Sequence, residues 1–545
     1  MKTVAVMPAP VTAPGGLGLP SRLLDTVEGE AGIARLVRRL HALDGIEAVT
    51  LITPETDREA IREVLGGQEV SWVDPVEDFE NRPIWRRGRK WATSSWRGGV
   101  NQASVLDEWG HPLEYLHALR MHEADYCFKP SVYNPILDVE LAVKMLAHLR
   151  EEPKEFLLTR APPGFGYEIY RRDMLEEIGK YGVDLRFILA LFLDRTNRDA
   201  TMTEMFFELD EEVIASRHRI SADTRRGLCL VRELERRIEA GSLSASVLDI
   251  QKILHAEPEL WAGRIPRELE IEITGRDPRK RSQRPRPRRD RPDMSLDLFR
   301  KIVEEAGSLE DDVLLTLGGF GDPFEHPDLV ECVRIARDAG IFGIHVATSG
   351  LGLDGDRVQK LIDARVDLFG IQLDAFEAET YEALHGEDRL SEIQAGVEGI
   401  IDRINQVSQE YRPLIVPEMI RRAETIGDQE AFFDFWLRKV GWVVLRGYNE
   451  YCGAREDLDV LPLTFSNREP CVRIAESMFV CCTGEVPVCS QDYLVAHPVG
   501  NLQHQSLEEI WTGETLRELR AGHSQGRYDG QAICESCRYW HQIGA

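Results

Sequence analysis

The sequence predicts a multidomain α/β protein that ends in a small cysteine-rich domain. Three observations carry this. The chain has 545 residues, more than one hydrophobic core usually serves. Strand-like and helix-like runs alternate in two separate stretches, 1–205 and 265–460. The cysteines then crowd between Cys471 and Cys537, with Cys452 just ahead of them.

The first stretch reads as an α/β domain over 1–205. Apolar runs such as "KTVAVMPA", "EAVTLIT", "ADYCFK" and "EFLLTRA" alternate with "AGIARLVRRLHAL" and "LDVELAVKMLAHLREE", the rhythm of a mostly parallel sheet. Residues 206–264 carry apolar positions at three- and four-residue spacing in "LVRELERRIEAG" and "SVLDIQKILHA", which predicts a helical connector. From Leu269 the alternation resumes over 265–460 with "LEIEIT", "VLLTLGG", "GIHVATSG", "LFGIQLDA", "PLIVPEMI" and "WVVLRGYN". Six strand-helix units without a seventh and eighth predict a partial (β/α)6 barrel, with its site at the C-terminal strand ends. The pattern then becomes short and loop-rich, and 461–545 is a domain of its own.

Composition limits the partners. A formal charge of -27 leaves too few cations to hold a phosphate backbone or an anionic membrane, so no nucleic-acid partner is expected. No stretch approaches eighteen uninterrupted apolar residues and no secretory segment opens the chain, so a cytoplasmic protein without a membrane span is expected.

The strongest chemical signal is the set Cys471, Cys489, Cys534 and Cys537. The first two flank a probable turn at Gly484, and "CESC" supplies the other two. A CxxC places two sulfurs on one metal site, and two more from a hairpin complete the four ligands of structural zinc or of a 4Fe-4S centre. In a reducing compartment metal is favoured over disulfides, and spacing leaves zinc and iron both open.

"CVRIAESMFVCCTGEVPVC", "VGNLQ", "SLEEIW", "LRELR" and "CESC" together resemble a SPASM/twitch domain. That resemblance implies one 4Fe-4S cluster on Cys471, Cys489, Cys534 and Cys537. "GGFGDPFEHPDL", "ATSGLGL", "FGIQLDAF" and "PEMI", in this order, resemble the radical SAM superfamily. The resemblance implies a partial TIM barrel in which Gly318, Gly319, Asp322 and Pro323 belong to an S-adenosylmethionine (SAM) site. In that superfamily the first strand leads into CxxxCxxC, whose thiolates hold the cluster that cleaves SAM. Here "IEITGRDPRKRSQR" places Asp277, Arg281 and Arg284 there, and a guanidinium cannot ligate iron. The basic run 276–291, nine Arg or Lys with three Pro, is expected to be a solvated, mobile loop, with an anion-binding loop at the barrel mouth as the alternative.

The opening "KTVAVMPAPVTAPGGLGLPSRLLDTVEG" resembles nucleotidyltransferases of the surface-polysaccharide type, a Rossmann-like fold, through Leu19, Pro20 and Arg22. Tyr133 stands where the family has a metal-binding aspartate and Gly166 where it has another acid, while Glu168 is kept, so turnover is expected to be lost. In this order the three resemblances point to spiro-SPASM proteins. They imply an iron-sulfur protein on degenerate enzyme domains, a recognition or electron-transfer component in the modification of a peptide or surface glycan. The alternative is an active radical SAM enzyme with atypical cluster ligation.

Overall fold

The computed structural model describes residues 1–12, 17–76, 90–91, 110–180, 205–216, 218–281, 291–408, 411–462, 467–529 and 532–541. It divides into two compact units, Met1–Trp261 and Ala262–Ala545.

The first unit is built on a seven-stranded sheet in the order Ser71–Val73, Val49–Ile52, Thr3–Pro8, Tyr126–Lys129, Glu168–Arg171, Phe156–Thr159 and Phe206–Phe207. The first four strands are parallel, as "KTVAVMPA" and "EAVTLIT" led one to expect. Glu168–Arg171 runs against both of its neighbours and makes the sheet mixed. The stretch expected to be a connector packs into this unit. Leu228, Val231 and Leu234 of the helix Arg225–Glu239 share one core with Leu36, Val37 and Leu40 of the helix Gly32–His41. Glu235, fully buried, ties the two helices through Arg35 at 3.3 Å and Arg39 at 2.8 Å. A buried carboxylate is stable only when paired in this way.

The second unit contains seven parallel strands in the order Val444–Gly447, Leu414–Arg421, Leu368–Gln372, Gly343–Thr348, Leu314–Leu317, Glu268–Ile271 and Ser477–Val480. The six expected strands are present. The seventh, "SMFV", comes from the segment read as the cysteine-rich domain and pairs with the first barrel strand, Leu269 opposite Met478. Buried on both faces, it reads as an uninterrupted apolar run like the other strands of a parallel sheet.

This shared edge fuses the C-terminal domain to the barrel. The hairpin Glu485–Pro487 with Pro498–Asn501 follows it directly. The short helix Leu507–Trp511 starts on the barrel helix Leu296–Leu309, whose Glu305 accepts the backbone N–H groups of Leu507 and Glu508 at 2.9 and 3.1 Å. Trp511 donates its indole N–H to the carbonyl of Ala262 at 3.0 Å. Arg520, buried, stacks on Trp511 and donates to the carbonyls of Ile474 and Trp511. These contacts hold the chain on which Cys471, Cys534 and Cys537 are placed.

Among the described residues no helix is long and apolar enough to cross a membrane.

Candidate iron-sulfur site and the barrel mouth

The C-terminal site is assembled from three pieces of chain. Cys471 precedes the short helix Arg473–Glu476, and its backbone N–H donates to Nδ1 of His523 at 3.3 Å. The neighbouring Val472 N–H donates to the carbonyl of Trp540, which brings Cys471 beside the C-terminal segment. Cys489 follows the hairpin strand Glu485–Pro487, which is entered through a turn at Gly484, where φ is 84°. Cys534 lies on the single turn Ala532–Glu535, held by Arg468, whose guanidinium donates to the carbonyl of Cys534 at 2.6 Å and stacks on Tyr528. Cys537 closes that turn and accepts the backbone N–H of Tyr539 at 3.3 Å.

The four sulfurs share one electrostatic environment. Burial pushes the Cys489 thiol up, and Cys471, Cys534 and Cys537 add to the effect while Arg473 opposes it. Burial likewise raises Cys471, and it takes Cys534 up to about 12. Cys537 moves the other way, down to about 6, chiefly because the Cys452 side chain is hydrogen-bonded to it. All ten cysteines are free thiols. Among the described residues no group of three or more His, Cys, Asp or Glu side chains stands at the close spacing of a preformed single-ion site.

The donor set suits an iron-sulfur group. The four cysteines lie near enough to influence one another electrostatically, and the guanidiniums of Arg473 and Arg468 would offset the negative charge that deprotonation of Cys489 and Cys534 creates. Two residues escaped the sequence reading. Cys452 was left out of the ligand pattern, yet it influences Cys537 electrostatically, and Arg473, which faces Cys489, was not singled out. Only the CxxC announces itself locally.

The barrel mouth is different. Asp322 is bonded within the protein. Its carboxylate accepts the Thr348 hydroxyl at 3.0 Å, the Ser349 backbone N–H at 2.8 Å and the Phe324 backbone N–H at 3.0 Å. It therefore clamps the "GDP" turn to the end of the strand Gly343–Thr348, and Pro323 begins the single helical turn that follows. Gly318 and Gly319 sit over the neighbouring strands. A Cβ on Gly319, where φ is 98°, would lie 3.0 Å from the Phe479 ring and 3.1 Å from Glu272, and one on Gly318 would lie 3.0 Å from the Ala347 Cβ. A side chain at either position would therefore press on protein atoms.

Asp277 heads the segment where the SAM-cleaving cluster would need its thiolates. Its side chain is buried and pairs with Arg279 at 2.7 Å. Arg279 is 3% exposed, and a guanidinium nitrogen reaches within 4.0 Å of Asp374, itself fully buried. Burial opposes the charge on Arg279, but Asp277, Asp374 and Asp322 more than restore it. Asp374 also accepts from Gln372 at 2.8 Å and faces His385 at 3.4 Å, while Nδ1 of His385 bonds the carbonyl of Arg281 at 2.8 Å. The residues present do not fit a thiolate-held cluster.

The expectation of a solvated basic run holds for Arg276 and Lys280 and is corrected at Arg279 and Arg291. Arg279 is buried among carboxylates, and Arg291 pairs with the buried Glu272 at 2.9 Å. The reason is local: Glu272 and Asp277 leave the first barrel strand pointing into the protein and need counter-charges. Arg281 is exposed, and Arg284 falls among residues 282–290, outside the described residues.

In the first unit Leu19 is buried, Pro20 exposed, Tyr133 half-buried, and Arg22 is paired with Asp25 at 3.0 Å. Glu168, the retained acid, is buried and accepts from Lys129 at 3.1 Å and from the Tyr170 hydroxyl at 2.8 Å. Its charge is already matched within the fold.

Residues 276–415 match the model of the Radical SAM superfamily, and 471–538 match that of SPASM, an iron-sulfur cluster-binding domain. An uncharacterised protein of Treponema pallidum is 27% identical over 248 residues, which is 43% of this chain and 67% of that one. The tungsten-containing aldehyde ferredoxin oxidoreductase cofactor-modifying protein of Pyrococcus furiosus is 32% identical over 82 residues, 15% of this chain. The chain spans 23% of that relative's length. The structure of Streptococcus suis SuiB bound to precursor peptide SuiA aligns with 57% of this chain and 84% of its own, at a TM-score of 0.40 and 13% identity. The chain thus carries a radical SAM half-barrel and a C-terminal SPASM domain.

Proposed function

We propose that this chain is an iron-sulfur protein in which Cys471, Cys489, Cys534 and Cys537 hold one 4Fe-4S cluster and in which the barrel does not cleave SAM. It serves as a recognition or electron-transfer component in the modification of a peptide or surface glycan. The observation that carries the reading is the pairing of Arg279 with Asp277 and Asp374 at the mouth of the barrel. Three irons need three anionic donors, and this segment offers a guanidinium, which never loses its proton in a protein, and a carboxylate already paired with it.

A bound cluster supplies one-electron chemistry. The residues of the chain fix where that happens. Arg468 and His523 orient the backbone at Cys534 and Cys471, Arg473 supplies positive charge, and burial keeps water from the sulfurs. A reducing, cytoplasmic setting goes with this reading, because cysteines there stay available to metal instead of pairing as disulfides. The nucleotidyltransferase-like first unit fits the same picture of a scaffold without turnover, since Glu168 is consumed by Lys129 and Tyr170. The retained "GGFGDP" turn, which speaks for the alternative of an active enzyme, is accounted for by packing, as Gly318 and Gly319 meet Ala347, Phe479 and Glu272.

Anaerobic purification followed by iron and sulfide analysis tests the cluster: about four irons and four sulfides per chain are expected. Zinc without labile sulfide overturns it. Incubation with dithionite and SAM tests the barrel, and no 5'-deoxyadenosine above background is expected. Multiple-turnover cleavage overturns the degenerate reading and puts the active enzyme in its place.

A further inference from the structure

The turn that follows Cys489 is closed by a backbone bond, the Asp492 N–H donating to the Cys489 carbonyl at 3.1 Å. Its polar side chains are engaged one by one. The Ser490 hydroxyl accepts from the Arg473 guanidinium at 2.6 Å. The Asp492 carboxylate accepts the backbone N–H groups of Ala496 and His497 at 2.9 and 2.7 Å. Gln491, between them, is the exception. It is 1% exposed, and no described group bonds either polar atom of its side-chain amide.

An amide taken out of water and left bare is costly, because it gives up its bonds to solvent and gains none in return. An apolar side chain of the same length would fill the space without that loss. Buried amides are therefore kept where a partner meets them, and here the partner is either a group the protein binds or an internal water. The place favours the first. A closed β-turn holds its ends within about 7 Å, so Gln491 stays beside Cys489. Arg473, which bonds the adjacent Ser490, stands two residues after Cys471. Gln491 thus lies where the arms that carry Cys471 and Cys489 are fastened to each other. A cluster held by these arms presents sulfide and thiolate acceptors, and an amide has two N–H donors to offer them.

We infer that the Gln491 amide donates a hydrogen bond to a sulfur atom of the cluster and raises its reduction potential; the inference rests on the cluster reading above. Donors to a cluster sulfur favour the reduced, more negative state, so removing one moves the potential downward. The amide does not titrate, so its contribution is the same at every working pH.

The test compares the full chain with Gln491→Met and Gln491→Leu, which keep the bulk and remove the donor. Each is purified anaerobically, analysed for iron and sulfide, and titrated potentiometrically. The reduced proteins, exchanged into deuterated buffer, are then compared by electron-nuclear double resonance. All three are expected to carry the same iron. Both variants are expected to shift to a more negative potential and to lose one exchangeable deuteron coupling that the parent shows; either variant suffices if the other fails to fold. A full cluster with unchanged potential and unchanged couplings overturns the inference and leaves an internal water as the partner of the amide. Loss of iron from both variants overturns it as well, since Gln491 would then hold the group in place instead of tuning it. Absence of iron from the parent chain defeats the cluster reading itself.

Discussion

The second unit contains two places where an iron-sulfur group would belong, and they are built from opposite chemistry. At Cys471, Cys489, Cys534 and Cys537 buried and half-buried thiols lie in the field of Arg473 and Arg468. At the barrel mouth an arginine is itself the buried group, and carboxylates surround it. Both places stand on the same sheet, since the first barrel strand lies beside Ser477–Val480. On the proposed reading, the same sheet carries thiols at one place and an ion-pair network at the other.

The largest expected effect separates the two directly. Cys534→Ser is expected to take the anaerobic iron content from about four per chain to near none, because one thiolate of four is lost from a cubane. Arg281→Ala, at a position where the superfamily has a ligand, is expected to leave the content unchanged. Equal loss in both variants would mean that the barrel mouth also holds iron, and the contrast between the sites would vanish.

The next effect measures what the ion-pair network is worth. Arg279→Ala leaves Asp277 and Asp374 buried without their shared cation, which is expected to lower stability by about 3–5 kcal/mol. The exposed Arg281→Ala should stay within about 0.5 kcal/mol. Urea unfolding of the second unit reads both. If Arg279→Ala costs no more than Arg281→Ala, the network is not what replaced the cluster.

How much of this was legible depends on where the partners of each residue lie. The CxxC at Cys534 and Cys537 is local, and so are the alternating runs that became the six barrel strands. The seventh strand was read as part of another domain because its partner, Glu268–Ile271, lies two hundred residues earlier. Arg279 was read as solvated because its neighbours in sequence are cationic, whereas Asp374, which helps to bury it, comes from the end of a different strand. Composition reports the neighbours along the chain, and burial is decided by neighbours in space.

The smallest effect bears on the feature the two readings of the barrel dispute, the glycines of "GGFGDP". Gly319 has a φ of 98°, and a methyl group there would approach Phe479 at 3.0 Å and Glu272 at 3.1 Å. Phe479 belongs to the strand shared with the cysteine-rich domain and packs on Phe320 with ring centroids 5.1 Å apart, so it has little room to retreat. Backbone strain and overpacking together predict that Gly319→Ala costs about 1–3 kcal/mol. The iron content should not change, since the four cysteines are untouched. This outcome assigns the glycine to barrel packing, which a barrel without SAM chemistry still requires. If thermal unfolding shows Gly319→Ala to be as stable as the parent, packing does not account for the residue. Close approach of a ligand would then be the remaining physical reason for a glycine there, and Gly318, Gly319, Asp322 and Pro323 would return as a SAM site to be probed by equilibrium dialysis.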